Sequence, residues 1–164
     1  MIRNYGQAPK GSTPEVEVNH DRGIRYSILP ALTLDDYIAL RVVEGSVDSE
    51  EFFDFIISDV IPHMNPFPGP RSVLVLNNAT IHCSDAVWEA IQDYGCILMY
   101  LPLYSPDFNP IEESFSCVKG FLRRNWTTFQ ESEHPEQELI EACRIAITPE
   151  KARGWIRHSG YRMD

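Results

Sequence analysis

Several common residue patterns are missing from this sequence. Its four cysteines show no Cys-x-x-Cys spacing, so we expect reduced thiols rather than a zinc ribbon or a disulfide framework. No apolar run approaches the roughly 20 residues that cross a bilayer. The first ten residues also lack the apolar core of a signal peptide. We therefore expect an intracellular protein, nuclear or cytoplasmic, without a membrane partner.

The motifs of the commonest nucleotide-binding and hydrolase sites are missing too. The nine glycines form neither the G-x-G-x-x-G run of dinucleotide-binding folds nor the G-x-x-x-x-G-K run of phosphate-binding loops. No G-x-S-x-G sequence is present to make a nucleophile elbow. These absences argue against a dinucleotide-dependent enzyme, a P-loop enzyme and an α/β-hydrolase.

Basic residues are scarce relative to acidic ones. The chain has 14 Lys and Arg against 24 Asp and Glu, a net charge of −10. This excess opposes general affinity for nucleic acid, whose phosphates attract cations. Lys119, Arg123 and Arg124 nevertheless cluster, while residues 131–150 contain six Glu and one Arg. A solvated helix face is the default interpretation of the basic cluster, and a phosphate-binding patch is the alternative.

The stretch that is present and most informative begins at Ser72. Residues 72–76 form a short apolar run that predicts a buried strand ending at Asn77. Helical spacing then predicts a helix over about Ser84–Tyr94, stopped by Gly95, and residues 96–101 predict a second strand. Two strands joined by one helix predict a parallel, buried pair. Functional sites in such folds lie at the carboxyl ends of the strands.

A further helix starts close to that edge. After the loop 102–109, Asn109 is a predicted N-cap, Pro110 suits the first turn and Glu112 follows at the third helical position. Thirty-four residues separate Asn77 from Glu112. On its own, Glu112 is explained by a capping box or by the helix dipole.

The remaining segments predict one domain of 164 residues, with an irregular arm over residues 1–22 and the domain over residues 23–164. A hairpin is expected from strands over Ile24–Leu32 and Tyr37–Val43. The periodic apolar positions predict further helices over Ser49–Ile61 (capped by Asp48), Ile111–Trp126, Glu136–Ile147 and Pro149–Ile156.

The run LVLNNATIH…YLPLYSPDFNPIEESFSCVKGFLRR resembles the core of mariner-superfamily DDE transposases, in particular their DDE endonuclease relatives. The resemblance extends over RGIRYSILPALTLDDY and the terminal GWIRHSGY. It implies an α/β, RNase H-like mixed sheet flanked by helices. It also implies metal-dependent DNA cleavage and strand transfer, in which three carboxylates hold two Mg²⁺ or Mn²⁺ ions.

Two departures from the family pattern concern these carboxylates. The second carboxylate falls on Asn77, whose neutral amide cannot bridge two dications. The first belongs to a central strand that would precede Met1, so we expect that strand to be missing from the chain. Alternatively, residues 15–18 of the arm would occupy the position of the missing strand in the sheet. Of the three ligands, Glu112 alone is expected, with weak metal binding or none.

Lys119, Arg123 and Arg124 are candidate contacts to DNA phosphates, and His82, which matches a family position near the site, is a further candidate for DNA binding. Our first hypothesis is a catalytically inactive, transposase-derived domain that binds DNA weakly. Its rivals are an active nuclease that recruits a replacement carboxylate, and a non-enzymatic interaction module that uses the acidic C-terminal helices. A homodimer is an open alternative.

Overall fold

The computed structural model describes residues 24–77, 85–125 and 132–162, and these parts contain four strands and five α-helices. The strands are β1 (Tyr26–Leu32), β2 (Tyr37–Glu44), β3 (Val73–Leu76) and β4 (Ile97–Tyr100). The helices are α1 (Ser49–Phe55), α2 (Asp85–Asp93), α3 (Pro110–Arg124), α4 (Pro135–Ala146) and α5 (Pro149–His158). Every helix and strand expected from the sequence over these residues is present, with ends shifted by a few positions.

The first two strands form the predicted antiparallel hairpin, in which Tyr26 lies opposite Glu44. Thr33 closes the turn, because its backbone N–H donates to the Asp36 carbonyl at 2.9 Å and its hydroxyl donates to the same oxygen at 3.0 Å. Both bonds stabilise the short turn that joins the two strands.

Strands β3 and β4 are parallel, as the strand–helix–strand pattern predicts, with Val73 opposite Ile97 and Leu76 opposite Tyr100. Helix α2 connects them and ends where Gly95 adopts a φ of +77°. A Cβ at Gly95 would also lie only 3.2 Å from the Pro66 Cβ, so both backbone conformation and space favour glycine here.

The prediction that these two strands are buried is wrong for one face of the pair. Leu74, Leu76 and Leu98 pack against the core. Because side chains alternate along a strand, Val73 and Met99 project from the opposite face, where they remain 40% and 54% exposed. Continuous apolar sequence therefore predicted strands correctly but not the exposure of this face.

Two apolar cores hold the described elements together. The first core lies between the hairpin, α1 and the β3–α2–β4 unit, and its most buried members are Ile56, Val60, Val87 and Ile91. The second core joins α3 and α4 to the hairpin, through Val118, Cys143, Ala146 and Ile147 packed against Ile28, Leu32, Tyr37 and Leu40. Burial raises the pKa of the Cys143 thiol to about 11, so this cysteine is protonated near neutral pH.

Helix α1 begins as the sequence predicts and then changes its hydrogen-bonding pattern. The Asp48 carboxylate accepts from the Glu50 and Glu51 backbone N–H groups at 3.0 and 2.9 Å, which confirms it as the N-cap. Beyond Phe55 the helix continues as a π-helical segment (Ile56–Val60) and a 3₁₀ turn (Ile61–His63).

Arg41 of β2 attaches the hairpin to this helical segment through three carboxylates. Its guanidinium lies 3.0 Å from Glu51, 2.7 Å from Asp54 and 2.6 Å from Asp59. The hydrogen bond from Arg41 also lowers the pKa of Asp54. The Arg41 guanidinium is 5.7 Å from the centre of the Phe55 ring, so it makes a cation–π contact as well.

The antiparallel and parallel parts of the expected mixed sheet are both present, as two ladders that are not joined within the described residues. Residues 15–18, which could alternatively occupy the position of the missing strand, lie outside the described residues. Among the helices that the structure describes, none is both long and apolar enough to cross a bilayer.

Candidate active site

Glu112 lies in the first turn of α3, and its position follows from the cap that precedes it. The Asn109 side-chain oxygen accepts from the Ile111 backbone N–H at 3.3 Å, which confirms Asn109 as the N-cap. The Glu112 backbone N–H donates to the Asn109 carbonyl at 3.1 Å. Pro110 occupies the first helical position, where its missing N–H costs no hydrogen bond. The Glu112 residue is exposed.

A chain of buried hydroxyls holds this first turn against the hairpin. The Tyr37 hydroxyl of β2 donates to Ser114 Oγ at 2.7 Å, and Ser114 Oγ donates to the Ile111 carbonyl at 2.6 Å. Ser114 has no exposed surface, and burial raises the pKa of Tyr37 far above its usual range. The hairpin therefore fixes the start of the helix that carries Glu112.

Replacing Tyr37 by phenylalanine is expected to lower the free energy of unfolding by about 1 kcal/mol, because one buried hydrogen bond is lost while the Ser114 hydroxyl keeps its other partner. Chemical denaturation of both proteins measures this difference. The matched control is Tyr26→Phe, which removes a hydroxyl that makes no hydrogen bond within the described residues. An equal effect of the two changes would show that the Tyr37–Ser114 bond does not stabilise α3.

Glu112 lines a cleft between the start of α3 and the end of α5. The other lining residues are Pro106, Asp107, Asn109, Glu113, Ser116, His158 and Ser159. In one wall of the cleft, His158 Nδ1 lies 2.6 Å from the Glu113 carboxylate. Glu113, through this hydrogen bond and its charge, raises the pKa of His158. The Glu113 carboxylate thereby joins α3 to α5.

The exposed face of α3 continues from this cleft toward two basic residues. Glu112, Ser116, Lys119 and Arg123 follow one another at spacings of four, three and four, and all four are exposed. At about 100° of rotation per residue, these spacings place them in one row. Arg124 is also exposed but is turned about 100° away from Arg123. Two of the three predicted basic residues thus share the face of Glu112.

Asn77 lies at the carboxyl end of β3, as predicted, and is exposed. The neighbouring strand ends at the same edge, because the Leu101 backbone N–H donates to the Leu76 carbonyl at 2.8 Å. Asn77 does not line the cleft that contains Glu112. The predicted pairing of these two residues stays a prediction, and His82 lies outside the described residues.

Several lining residues of the cleft were not identified as site residues from the sequence alone, among them Asp107, Ser116 and His158. His158 is separated from Glu113 by 45 positions. No local spacing rule relates residues so far apart, although His158 falls inside the GWIRHSGY stretch that carries part of the resemblance.

Comparison with known protein families identifies the family to which these motifs point. Residues 1–133 match the model of the DDE superfamily endonuclease family. The chain belongs to this family. No curated protein sequence is significantly similar to this DDE endonuclease domain.

Solved structures of Mos1 mariner transposase resemble the DDE endonuclease domain. The Mos1 mariner paired-end complex with Mn matches with a TM-score of 0.65 and 11% identity, covering 96% of this chain and 47% of the other. A pre-cleavage Mos1 transpososome matches with a TM-score of 0.53 and 13% identity, covering 99% and 52%. The chain thus spans about half the length of the structures it matches. At these identities the similarity establishes the fold, which is the predicted RNase H-like fold.

The described residues do not by themselves fit the two-ion centre that the resemblance implies. Within residues 24–77, 85–125 and 132–162, no three His, Cys, Asp or Glu side chains are arranged to hold a metal ion. Glu113 is hydrogen-bonded to His158, and position 77 supplies a neutral amide instead of a carboxylate. We therefore derive no catalytic step through a metal from these residues.

Proposed function

We propose that this DDE endonuclease domain binds DNA and does not cleave it. The observation that carries the proposal is the donor set: Asn77 stands where the family pattern has a carboxylate, and the described residues hold no three-ligand cluster. The mechanism of the family needs charged oxygen ligands for two divalent ions. Glu112 alone would hold Mg²⁺ or Mn²⁺ weakly, as a monodentate or bidentate surface ligand.

DNA is the proposed ligand because of the basic part of the α3 face and because of what the similar proteins bind. Lys119 and Arg123 are exposed on the same row as Glu112, and the similar Mos1 structures include a paired-end complex with a left transposon end. A net charge of −10 weakens the association, so we expect binding that is lost as the salt concentration rises.

A second candidate function is nuclease activity with a replacement carboxylate. The observation that favours it is the presence of Asp107 in the same cleft as Glu112. Two carboxylates that line one cleft can share a divalent ion, because the ion relieves their mutual repulsion. In this case Asp107 would supply the carboxylate that is missing at position 77.

Incubation of the purified chain with supercoiled plasmid and Mg²⁺ or Mn²⁺ is expected to give no nicking above the level seen with chelator. Conversion to open-circular plasmid, followed on a gel, measures the activity. Glu112→Gln and Asp107→Asn test the cleft, and Glu89→Gln on the exposed surface of α2 is the matched control. Metal-dependent nicking that both cleft variants abolish and the control retains would establish the second candidate instead.

A further inference from the structure

The loop between β4 and α3 presents an aromatic ring to solvent in an unusual backbone conformation. Tyr104 is 99% exposed, and its φ is +57°. The left-handed region costs a residue with a Cβ on the order of 1–2 kcal/mol. An exposed ring gains nothing from burial that would offset this cost. Such an outlier points to a functional role for the side chain.

The loop on both sides of Tyr104 is fixed by hydrogen bonds. The Ser105 hydroxyl donates to the Leu103 carbonyl at 3.2 Å, and the Phe108 backbone N–H donates to the Ser105 carbonyl at 3.2 Å. Beyond α5, the Tyr161 hydroxyl donates to the Phe108 carbonyl at 3.0 Å. These bonds hold the backbone from which the Tyr104 ring projects, so little backbone conformational entropy is lost when the ring is covered.

The position of Tyr104 relates it to the proposed DNA-binding face. Two residues after Tyr104 the chain enters the wall of the cleft, through Pro106 and Asp107, and then reaches Glu112. From Glu112 the α3 axis rises about 10 Å to Lys119 and about 16 Å to Arg123. A DNA strand whose phosphates follow the two cations toward the start of α3 would reach the cleft and the loop. Its terminal bases would meet the exposed ring.

We propose that Tyr104 is a stacking platform for an unpaired base at the end of a DNA strand bound along α3. Every base presents a π-face, so an exposed aromatic ring on a hydrogen-bonded loop binds unpaired bases with little dependence on sequence. The cations at Lys119 and Arg123 complement a phosphate backbone. The inference rests on the proposed DNA binding.

The test compares a blunt duplex with the same duplex carrying a short 3′ single-stranded tail that contains 2-aminopurine, at low salt. The parent chain is expected to bind the tailed DNA more tightly and to quench the 2-aminopurine fluorescence. Tyr104→Ala should lower affinity for the tailed DNA roughly 5- to 100-fold and abolish the quenching, with blunt-duplex affinity unchanged. Tyr104→Phe should retain both properties.

Two further variants keep the test decisive. Tyr104→Gly removes the ring and adopts a positive φ without strain, so it stays folded and should behave as Tyr104→Ala does. Trp88→Ala removes an aromatic ring that is 51% exposed on α2 and should change nothing. Unchanged tail affinity in both Tyr104 variants would overturn the stacking proposal alone, provided that the parent binds DNA. If instead these variants lost self-association while DNA binding stayed intact, the stacking proposal would be overturned, and the ring would contact a second copy of the chain. Absence of all DNA binding by the parent would overturn both proposals.

Discussion

Replacing Lys119 and Arg123 together by glutamate is expected to abolish measurable DNA binding at low salt. Each change removes a cation that can neutralise a phosphate and places a negative charge beside it. Both residues are exposed in one row of α3, so neither change disturbs the second core. We expect affinity to fall at least about tenfold for each residue, since a close ion pair becomes a repulsive one.

Fluorescence anisotropy of a labelled duplex, titrated at several salt concentrations, measures this effect. Single Lys119→Ala and Arg123→Ala variants should each lower the slope of log affinity against log salt by about one. Arg124→Glu is the control, because it makes the same charge change as each single glutamate replacement, about 100° around the helix from Arg123. If Arg124→Glu weakened binding as much as the changes at Lys119 and Arg123, the DNA would not follow this face of α3.

Local sequence patterns predicted the elements of this fold because each one is specified by neighbouring residues. Asp48 and Asn109 accept the first backbone N–H groups of their helices, and Gly95 takes the positive φ that ends α2. The apolar positions along α3 likewise recur at helical spacing, and Val118 among them is buried. Such signals act over three or four positions, so they can be recognised without knowledge of the tertiary structure.

The composition of the site depends on contacts between distant segments, and these were not predictable in the same way. The bond between Glu113 and His158 exists because α5 packs against α3, which no residue spacing encodes. The family resemblance predicts Glu112 as a site residue, whereas local reasoning alone explains it as a helix-capping residue.

Replacing Asn77 by aspartate is expected to create or strengthen one divalent-ion site with Glu112. The change restores the second family carboxylate at the carboxyl end of β3, and a dication relieves the repulsion between two nearby carboxylates. Without metal, that repulsion should lower the melting temperature slightly. With Mg²⁺ at about ten times its dissociation constant, binding to the folded state adds about 1.4 kcal/mol. For a chain of this size this corresponds to a rise of roughly 3 to 6 °C.

Thermal melting of the parent and the variant, each with Mg²⁺ and with chelator, measures the response without any appeal to activity. Gln92→Glu on the exposed surface of α2 is the matched control, because it adds the same charge away from the site. The double variant Asn77→Asp with Glu112→Gln should lose the response, since only one carboxylate of the pair remains. An equal Mg²⁺ response in the parent and in Asn77→Asp would mean that Asn77 and Glu112 are not neighbours. The alignment that assigns both residues to one site would then be wrong.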